Sequence, residues 1–187
     1  YDVLLILDEI ITGLGRLGAM WGAETVGAWP DIFAAGKGMS AGYYPLSVVV
    51  LSDTVAEAFW GESEEDVQFH AGHTYGANPV AGAAGIAAIS ELVENDFPRR
   101  VHELGEHMMG RLKTLKEKHQ VVGQITGKGL LIGIEYVQDC KTHKPFPDEL
   151  AFAKKVDLAC RERGLVTRPS THVQVLAPPF ISTREQL

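Results

Sequence analysis

Residues 3–9 read VLLILDE and residues 31–37 read DIFAAGK, and these two stretches decide the fold. Each is an apolar run that ends in a charged side chain. Near-continuous apolar runs are typical of parallel strands in a sheet whose two faces are both covered. The carboxyl ends of such strands meet at one edge of the sheet, where α/β proteins bind ligands. The sequence therefore predicts an α/β fold with Asp8 and Lys37 at a common ligand-binding edge.

Lys37 lies between two glycines, Gly36 and Gly38. Two missing side chains would let a bulky planar ligand come close to the backbone. Taken singly, most lysines of soluble proteins are solvated, and an aspartate after a strand is often a helix cap. The combination of both charges with the flanking glycines favours a ligand site over these structural explanations.

The composition is that of an acidic α/β protein, with 187 residues, 45% hydrophobic residues and a formal net charge of -7. Lys and Arg form no basic stripe, so neither a nucleic acid nor a membrane is expected as a partner. Cys140 and Cys160 form no zinc-like spacing and are too few for a disulfide scaffold, which favours the reducing cytoplasm. His70 and His73 have no further grouped ligands, so no metal site is expected.

Two glycine motifs fit nucleotide-binding fingerprints as strings of letters only. Residues 13–18 read GLGRLG, but the dinucleotide fingerprint needs a helix that opens directly from its glycines. Residues 19–30 contain two glycines and end in a proline, and they are predicted to form an irregular loop. Gly36-Lys37 lacks the upstream glycine and the following hydroxyl residue of a phosphate-binding P-loop. Neither kind of nucleotide site is expected.

The rest of the pattern predicts two domains, residues 1–120 and 121–187. Asn78 and Pro79 suit the start of a buried, Gly- and Ala-rich helix, which should be followed by an amphipathic helix over residues 98–118. Short strands from residue 121 onward then begin the smaller α/β domain.

Both ends of the chain resemble interrupted elements. Residue 1 lies within a strand-like run, and Ser182 with Glu185 forms a capping-box pattern that normally opens a helix. We therefore expect the chain to be a fragment of a longer protein.

Several motifs, in order along the chain, resemble the class-III pyridoxal-phosphate aminotransferases of fold type I. They are LDEIITGLGRLG at 7–18, PDI at 30–32, GKGMSAGYYPL at 36–46, HTYGANPVA at 73–81 and GLLIGIE at 129–135. Together they span nearly the whole chain. The resemblance implies part of a large domain with a mostly parallel sheet and helices, followed by a small α/β C-terminal domain, truncated at both ends.

The resemblance also assigns a role to individual residues. Lys37 matches the lysine that forms a Schiff base with pyridoxal phosphate and later moves a proton between substrate and cofactor. Asp8 matches the aspartate that pairs with the pyridine nitrogen, which makes the ring a better electron sink. Ile10 matches the aliphatic residue that packs on one face of the ring. Thr74 matches a threonine that binds the cofactor phosphate of the neighbouring subunit, which implies a homodimer.

Arg168 matches a small-domain arginine that some family members use to hold the substrate carboxylate, although an exposed arginine at a strand end is an equal alternative. Residues 173–179 read VQVLAPP and resemble the strand where ornithine-, acetylornithine- and 4-aminobutyrate-type relatives carry an arginine. Val175 stands at that position here. This departure favours the branch that transfers an amino group from an ω-amino acid or amine to a 2-oxo acid such as pyruvate.

Other functional classes remain open from the sequence. An aminomutase or a decarboxylase would use the same Lys37 and Asp8, and a non-enzymatic α/β module would need neither. The family's phosphate-binding Gly-Ser turn and its stacking aromatic residue lie upstream of residue 1, so we expect the fragment itself to be inactive.

Overall fold

The first sheet of the computed structural model, which describes residues 3–65 and 67–187, has three strands. They are β1 (Ile6–Asp8), β2 (Ile32–Ala35) and β3 (Val48–Leu51). β1 pairs with β2 in parallel, whereas β3 pairs with β2 in the antiparallel direction. The two parallel strands predicted from the apolar runs are thus confirmed, and the structure shows that they are neighbours.

β1 is shorter and more exposed than its apolar run predicts. It begins at Ile6 rather than Val3, and the side chains of Val3 and Ile6 are 78% and 63% exposed. Among the described residues β1 pairs with β2 alone. Its apolar side chains are largely exposed in this part of the chain, and the covering of both faces stays a prediction.

Three helices accompany this sheet: α1 (Gly22–Val26), α2 (Asp53–Glu57) and α3 (Pro79–Glu94). Asn78 caps α3 as predicted, because its Oδ1 accepts hydrogen bonds from the N–H groups of Val80 at 2.9 Å and Ala81 at 3.3 Å. Helix α3 packs on a short 3-10 turn, Lys37–Ser40. At Gly85 a Cβ would lie 3.7 Å from Met39 O of this turn, which is ordinary contact, and 2.7 Å from Cδ2 at the end of the Leu46 side chain.

The second sheet has the order β4-β5-β8-β7, with β6 paired to β5. Its strands are β4 (Val122–Lys128), β5 (Leu131–Asp139), β6 (Lys144–Pro145), β7 (Arg168–Pro169) and β8 (Val173–Leu176), all antiparallel to their neighbours. The helices are α4 (Phe97–Lys118) and α5 (Phe152–Arg161). None of the helices in the described ranges combines the length and apolar character that a membrane span requires.

The chain divides into two compact units, Tyr1–Pro98 and Arg99–Leu187. Val101, Leu104 and Met108, on the predicted apolar stripe of α4, are buried against Leu130 and Ile132. The long helix thus packs with the strands that follow it, and the division between the units falls before it rather than near residue 120.

The end of the chain forms a turn where the Ser182–Glu185 pattern predicts a helix start. The reciprocal hydrogen bonds are made one residue later: Thr183 N–H donates to Gln186 Oε1 at 2.8 Å, and Gln186 N–H donates to Thr183 Oγ1 at 3.4 Å. Arg100 holds the preceding segment, since its guanidinium donates to the carbonyls of Phe180 at 2.9 Å and Ser182 at 2.8 Å.

Two glycines of α4 should respond oppositely to alanine. A Cβ at Gly105 would lie 2.6 Å from the backbone of Gly129, which cannot move aside, so we expect Gly105→Ala to destabilise the protein by about 2 kcal/mol. A Cβ at Gly110 would have nothing within 4 Å, and Gly110→Ala should stabilise the helix by about 0.5 kcal/mol. Urea unfolding of both variants checks this, and equal effects of the two substitutions would contradict the packing.

Candidate active site

Asp8 and the residues leading to Lys37 lie at one edge of the first sheet. Asp8, the last residue of β1, pairs in register with Ala34 of β2, and Glu9 N–H donates to Ala34 O at 2.8 Å. The chain leaves β2 after Ala35 and reaches Lys37 through Gly36. Since both strands run in the same direction, their carboxyl ends place the two charged residues at the same edge.

Lys37 has an unusual backbone conformation and an exposed side chain. Its φ of 42° lies in the left-handed region, which non-glycine residues adopt only at an energetic cost. Such strained residues cluster at functional sites. The turn is held in place by the buried Ser40, whose hydroxyl donates to the carbonyl of Tyr44. Lys37 forms no ion pair with any residue in the described ranges, so its amine is available to a ligand.

The Asp8 carboxylate is exposed and partly oriented. Its Oδ1 accepts a hydrogen bond from the N–H of Ile10 at 3.0 Å, whereas Oδ2 has no hydrogen-bond partner among the described residues. Ile10 itself lies beside Gly36: a Cβ at Gly36 would be 3.8 Å from Ile10 Cγ2. Three of the predicted site residues, Asp8, Ile10 and Lys37, thus surround the ends of the two strands.

The fold does not require a glycine at position 36. Its φ of -172° is extended, and a Cβ would meet Leu46 O and Ser47 Cβ at 3.6 Å, which is ordinary contact. Gly36 itself is buried, so the groups open to a ligand are the exposed amine of Lys37 and the exposed carboxylate of Asp8, with the aliphatic side chain of Ile10 beside them, and these suit a planar, cationic ring. Asp8 would pair with a ring N–H, Ile10 would cover one face, and Lys37 would reach a reactive carbon.

Glu9 is a site residue that sequence reasoning missed. It is only 3% exposed, and its carboxylate accepts three hydrogen bonds, from Gly22 N–H at 2.9 Å, Ala23 N–H at 2.7 Å and Thr12 Oγ1 at 2.5 Å. It therefore anchors the segment that carries Asp8 and Ile10 on either side of it. The Asp-Glu pair at the end of the strand is the sequence signal that could have indicated the burial of Glu9. Successive side chains point to opposite faces, so one of the two carboxylates faces the interior and needs buried hydrogen-bond donors.

The contacts of the Glu9 carboxylate show that the segment after the GLGRLG motif was predicted wrongly. Residues 19–30 do contain a helix, α1, because Glu9 binds its first N–H groups and Glu24 Oε1 accepts the N–H of Trp21 at 2.9 Å. The prediction of an irregular loop is wrong there. A dinucleotide site remains excluded for a different reason: the N–H groups that would bind a phosphate already bind a carboxylate.

Thr74 lies in the loop before α3, and its side chain is exposed. Its neighbours His73 and Tyr75 line a cavity of about 560 Å³, together with Pro45, Leu46, Ser47, residues 76–79, Ala81 and Gly82. That volume is within the range of small-molecule sites. No hydrogen bond in the described part of the chain joins Thr74 to Asp8 or Lys37.

Arg168 lies on β7 in the second unit, directly opposite Val175 of β8. Its side chain is exposed. Thr167, which precedes it, is buried and donates through Oγ1 to Asp157 Oδ1 at 2.7 Å. Sequence reasoning missed this buried polar contact, because nothing in the spacing of residues 157 and 167 shows that a helix returns to the strand.

The pKa of Asp157 is held below its ordinary value of 3.8 by the hydrogen bond from Thr167 and by Arg161, whose Nε donates to Oδ2 at 2.8 Å. A lowered pKa in the folded state means that Asp157 stabilises the fold above pH 3.8 and that this contribution is lost as the pH falls through the lowered value. We expect Asp157→Asn to reduce the loss of stability between about pH 6 and pH 2. Urea unfolding across this range measures the change, and an unaltered loss of stability in Asp157→Asn would contradict the prediction.

In residues 3–65 and 67–187, no group of three or more His, Cys, Asp or Glu side chains is arranged to hold a metal ion. The functional groups at the strand ends are an amine and two carboxylates, one exposed and one buried.

Comparisons with known proteins identify the family of this chain. The family model for class-III aminotransferases matches residues 1–187. The chain is 34% identical to the adenosylmethionine-8-amino-7-oxononanoate aminotransferase of Anoxybacillus flavithermus. The matched region covers 100% of this chain and 41% of that protein. It spans about two fifths of the length of the curated relatives that it matches.

Two solved structures have the same fold. One is a thermostable (S)-enantioselective omega-transaminase from Thermomicrobium roseum, with a TM-score of 0.91, 36% identity, and coverage of 100% of this chain and 41% of that one. The other is an amine transaminase from an uncultivated Pseudomonas species in a PLP-bound form, with a TM-score of 0.94, 33% identity, and coverage of 98% and 41%. With a family model that matches every residue, the chain belongs to the class-III aminotransferase family.

Proposed function

We propose that the whole protein carrying this chain is a pyridoxal-phosphate-dependent aminotransferase that moves an amino group from an ω-amino acid or amine to a 2-oxo acid such as pyruvate. The observation that carries the proposal is the placement of Asp8 and Lys37 at the carboxyl ends of adjacent parallel strands. Bound pyridoxal phosphate would supply an electrophilic carbon and an electron-accepting ring.

The chain's own residues have distinct tasks in this proposal. The Asp8 carboxylate, oriented by the Ile10 N–H, binds the ring nitrogen and keeps it protonated. Ile10 packs on one face of the ring and excludes water from it. Lys37 Nζ binds the cofactor and, when released by the incoming amine, holds and returns the proton of the substrate carbon. The exposed amine of Lys37, which makes no ion pair with any described residue, supports this assignment.

Substrate recognition is assigned to Arg168, and phosphate binding to Thr74 of a second copy in a homodimer. An exposed guanidinium is well suited to a bidentate bond with the carboxylate of a 2-oxo acid or an amino acid. Val175 lies directly opposite Arg168, so Arg168 is the only cation of β7 and β8. The absence of a second arginine at position 175 supports an acceptor such as pyruvate. The amine transaminase from an uncultivated Pseudomonas species supports an amine donor, whereas the Anoxybacillus relative is named for a different transamination.

Borohydride trapping on the full-length protein tests the proposal. The protein is incubated with pyridoxal phosphate, reduced, digested and mapped by mass spectrometry. Lys37 is the sole lysine in residues 1–98, so a labelled peptide from that range identifies it without ambiguity. We expect label on Lys37, no label in that peptide for Lys37→Ala, and unchanged labelling for Lys113→Ala. Label on other lysines only would overturn the assignment.

A panel of amino donors with pyruvate then separates the specificity alternatives. Formation of alanine from ω-amino acids or simple amines supports the proposed branch. Alanine formation from none of them, with transfer to other 2-oxo acids, would refute the pyruvate assignment while leaving the aminotransferase activity in place. Loss of carbon dioxide or an isomeric amine as the main product would instead indicate a decarboxylase or an aminomutase.

A further inference from the structure

β7 is held only weakly by its own backbone. It consists of Arg168 and Pro169, which pair with Val175 and Gln174 of β8. Proline has no N–H to donate, so this strand pair forms few ladder hydrogen bonds. The turn between the strands is closed by Ser170 N–H, which donates to Val173 O at 2.7 Å. A two-residue strand of this kind needs a further contact to keep its register.

A buried chain of side-chain hydrogen bonds supplies that contact. Gln174 Nε2 donates to Thr167 Oγ1, and Thr167 Oγ1 donates to Asp157 Oδ1 at 2.7 Å. Arg161 Nε completes the chain by donating to Asp157 Oδ2 at 2.8 Å. The exposed fractions of Gln174, Thr167 and Asp157 are 1%, 8% and 4%. The three residues come from β8, the residue before β7, and α5, and they join all three elements.

The faces of the strands connect this network with Arg168. Successive side chains in a strand point to opposite faces, so Thr167 and Gln174 point towards α5 while Arg168 and Val175 lie on the other face. Gly133 of β5 pairs with Val175, and Thr126 of β4 pairs with Gly133, so the row that continues across the sheet from Arg168 holds no charged side chain. The exposed guanidinium thus lies on the face of the sheet opposite the buried network.

The network is better suited to fixing one arrangement than to adding stability. It buries a carboxylate, and Gln174 Oε1 has no hydrogen-bond partner among the described residues. Apolar residues of similar size often stabilise a core as well or better. A slip of β7 by one residue, however, would turn Thr167 to the opposite face and break both of its hydrogen bonds.

We infer that Asp157, Thr167 and Gln174 are positioning residues that lock the register of β7 on β8 and thereby aim Arg168 at the substrate carboxylate. The inference rests on the proposed function of Arg168. It assigns to this buried network a share in substrate discrimination, although none of its members faces the substrate.

The kinetic test uses half-reactions of the full-length enzyme with one amino donor at a time. L-Alanine carries a carboxylate, and 1-phenylethylamine does not. We expect Thr167→Val to lower kcat/KM for L-alanine about tenfold, mainly by raising KM. The kcat/KM for 1-phenylethylamine should change less than about twofold. Thr167→Ser restores the hydroxyl and should restore L-alanine turnover. Thr114→Val, the same change at an exposed site of α4, should affect neither substrate. Equal losses for both substrates would overturn the inference.

A double-mutant cycle tests whether Thr167 acts through Arg168. In an Arg168→Ala background, Thr167→Val should have no further effect on the preference for L-alanine, because the group that it positions is gone. Additive effects of the two substitutions would overturn the inference. If Arg168→Ala alone leaves the preference unchanged, the proposed role of Arg168 fails, and with it the positioning role.

Hydrogen exchange of residues 165–177 gives a readout that does not depend on activity. We expect Thr167→Val to speed exchange in this peptide at least about tenfold, with Thr167→Ser close to the unmodified protein and Thr114→Val unchanged. Unchanged exchange in Thr167→Val would show that the network does not hold the strand pair, whatever the substrate of the enzyme proves to be.

Discussion

Replacing Lys37 by Ala in the full-length protein is expected to lower kcat for transamination by about 1,000-fold or more. In the proposed mechanism this one amine both binds the cofactor and moves the proton of the substrate carbon, and each of these tasks supplies large rate factors. The measurement is the steady-state rate of alanine formation from pyruvate with an amine donor that the unmodified enzyme accepts.

The same substitution should leave the fold intact. Lys37 is exposed and makes no ion pair with other described residues, and Ala in its place keeps the same left-handed backbone. We expect a change in the free energy of unfolding of less than about 0.5 kcal/mol. Lys113→Ala, at an exposed position of α4, is the control that should retain both activity and stability. Activity within about tenfold of the unmodified enzyme in Lys37→Ala would refute the proposed function.

Glu9→Ala is expected to have the largest effect on stability, about 3 kcal/mol. The substitution removes three hydrogen bonds to a buried carboxylate and leaves the N–H groups of Gly22 and Ala23 without an acceptor. It should also loosen the segment that carries Asp8 and Ile10. Unfolding in urea, followed by tryptophan fluorescence, measures the change, because Trp21 lies next to the helix that Glu9 caps.

Glu24→Ala is the matched control for this prediction. Glu24 accepts one hydrogen bond, from Trp21 N–H at 2.9 Å, so its loss should cost less than about 1 kcal/mol. Gly22→Ala offers a second check, since a Cβ there would lie 2.8 Å from Glu9 Oε2 and would push the carboxylate away. Similar costs for Glu9→Ala and Glu24→Ala would show that the buried carboxylate does not organise this segment.

Local patterns predicted the elements whose own residues carry the signal. Asn78 and Pro79 mark the start of α3, and the apolar spacing of Val101, Leu104 and Met108 predicts α4 and its buried face. The parallel pairing of the first two strands was also predictable, because two apolar runs ending in charges are typical of such a sheet. The motif order was specific enough to indicate the family, which the comparisons then showed.

Predictions failed where contacts that form only on folding determine the local structure. Residues 19–30 contain too few helix signals to predict α1, and the helix forms because the Glu9 carboxylate, far away in the sequence, binds its first N–H groups. At the end of the chain the reciprocal hydrogen bonds are made by Thr183 instead of Ser182. The N–H of Ser182 donates to the carbonyl of Pro179 at 3.1 Å and is therefore not available to Glu185.

The candidate chemistry of this protein follows from its residues alone: an amine at Lys37, a carboxylate at Asp8 and the strand ends that carry them. These depend on residue type and on short-range periodicity, which can be read without a structure. The burial of Glu9 against α1, and the contact of Asp157 with Thr167 and Gln174 behind Arg168, depend on the folded chain. A hydrogen bond requires its donor and acceptor within about 3 Å, and that proximity arises only when the chain returns on itself.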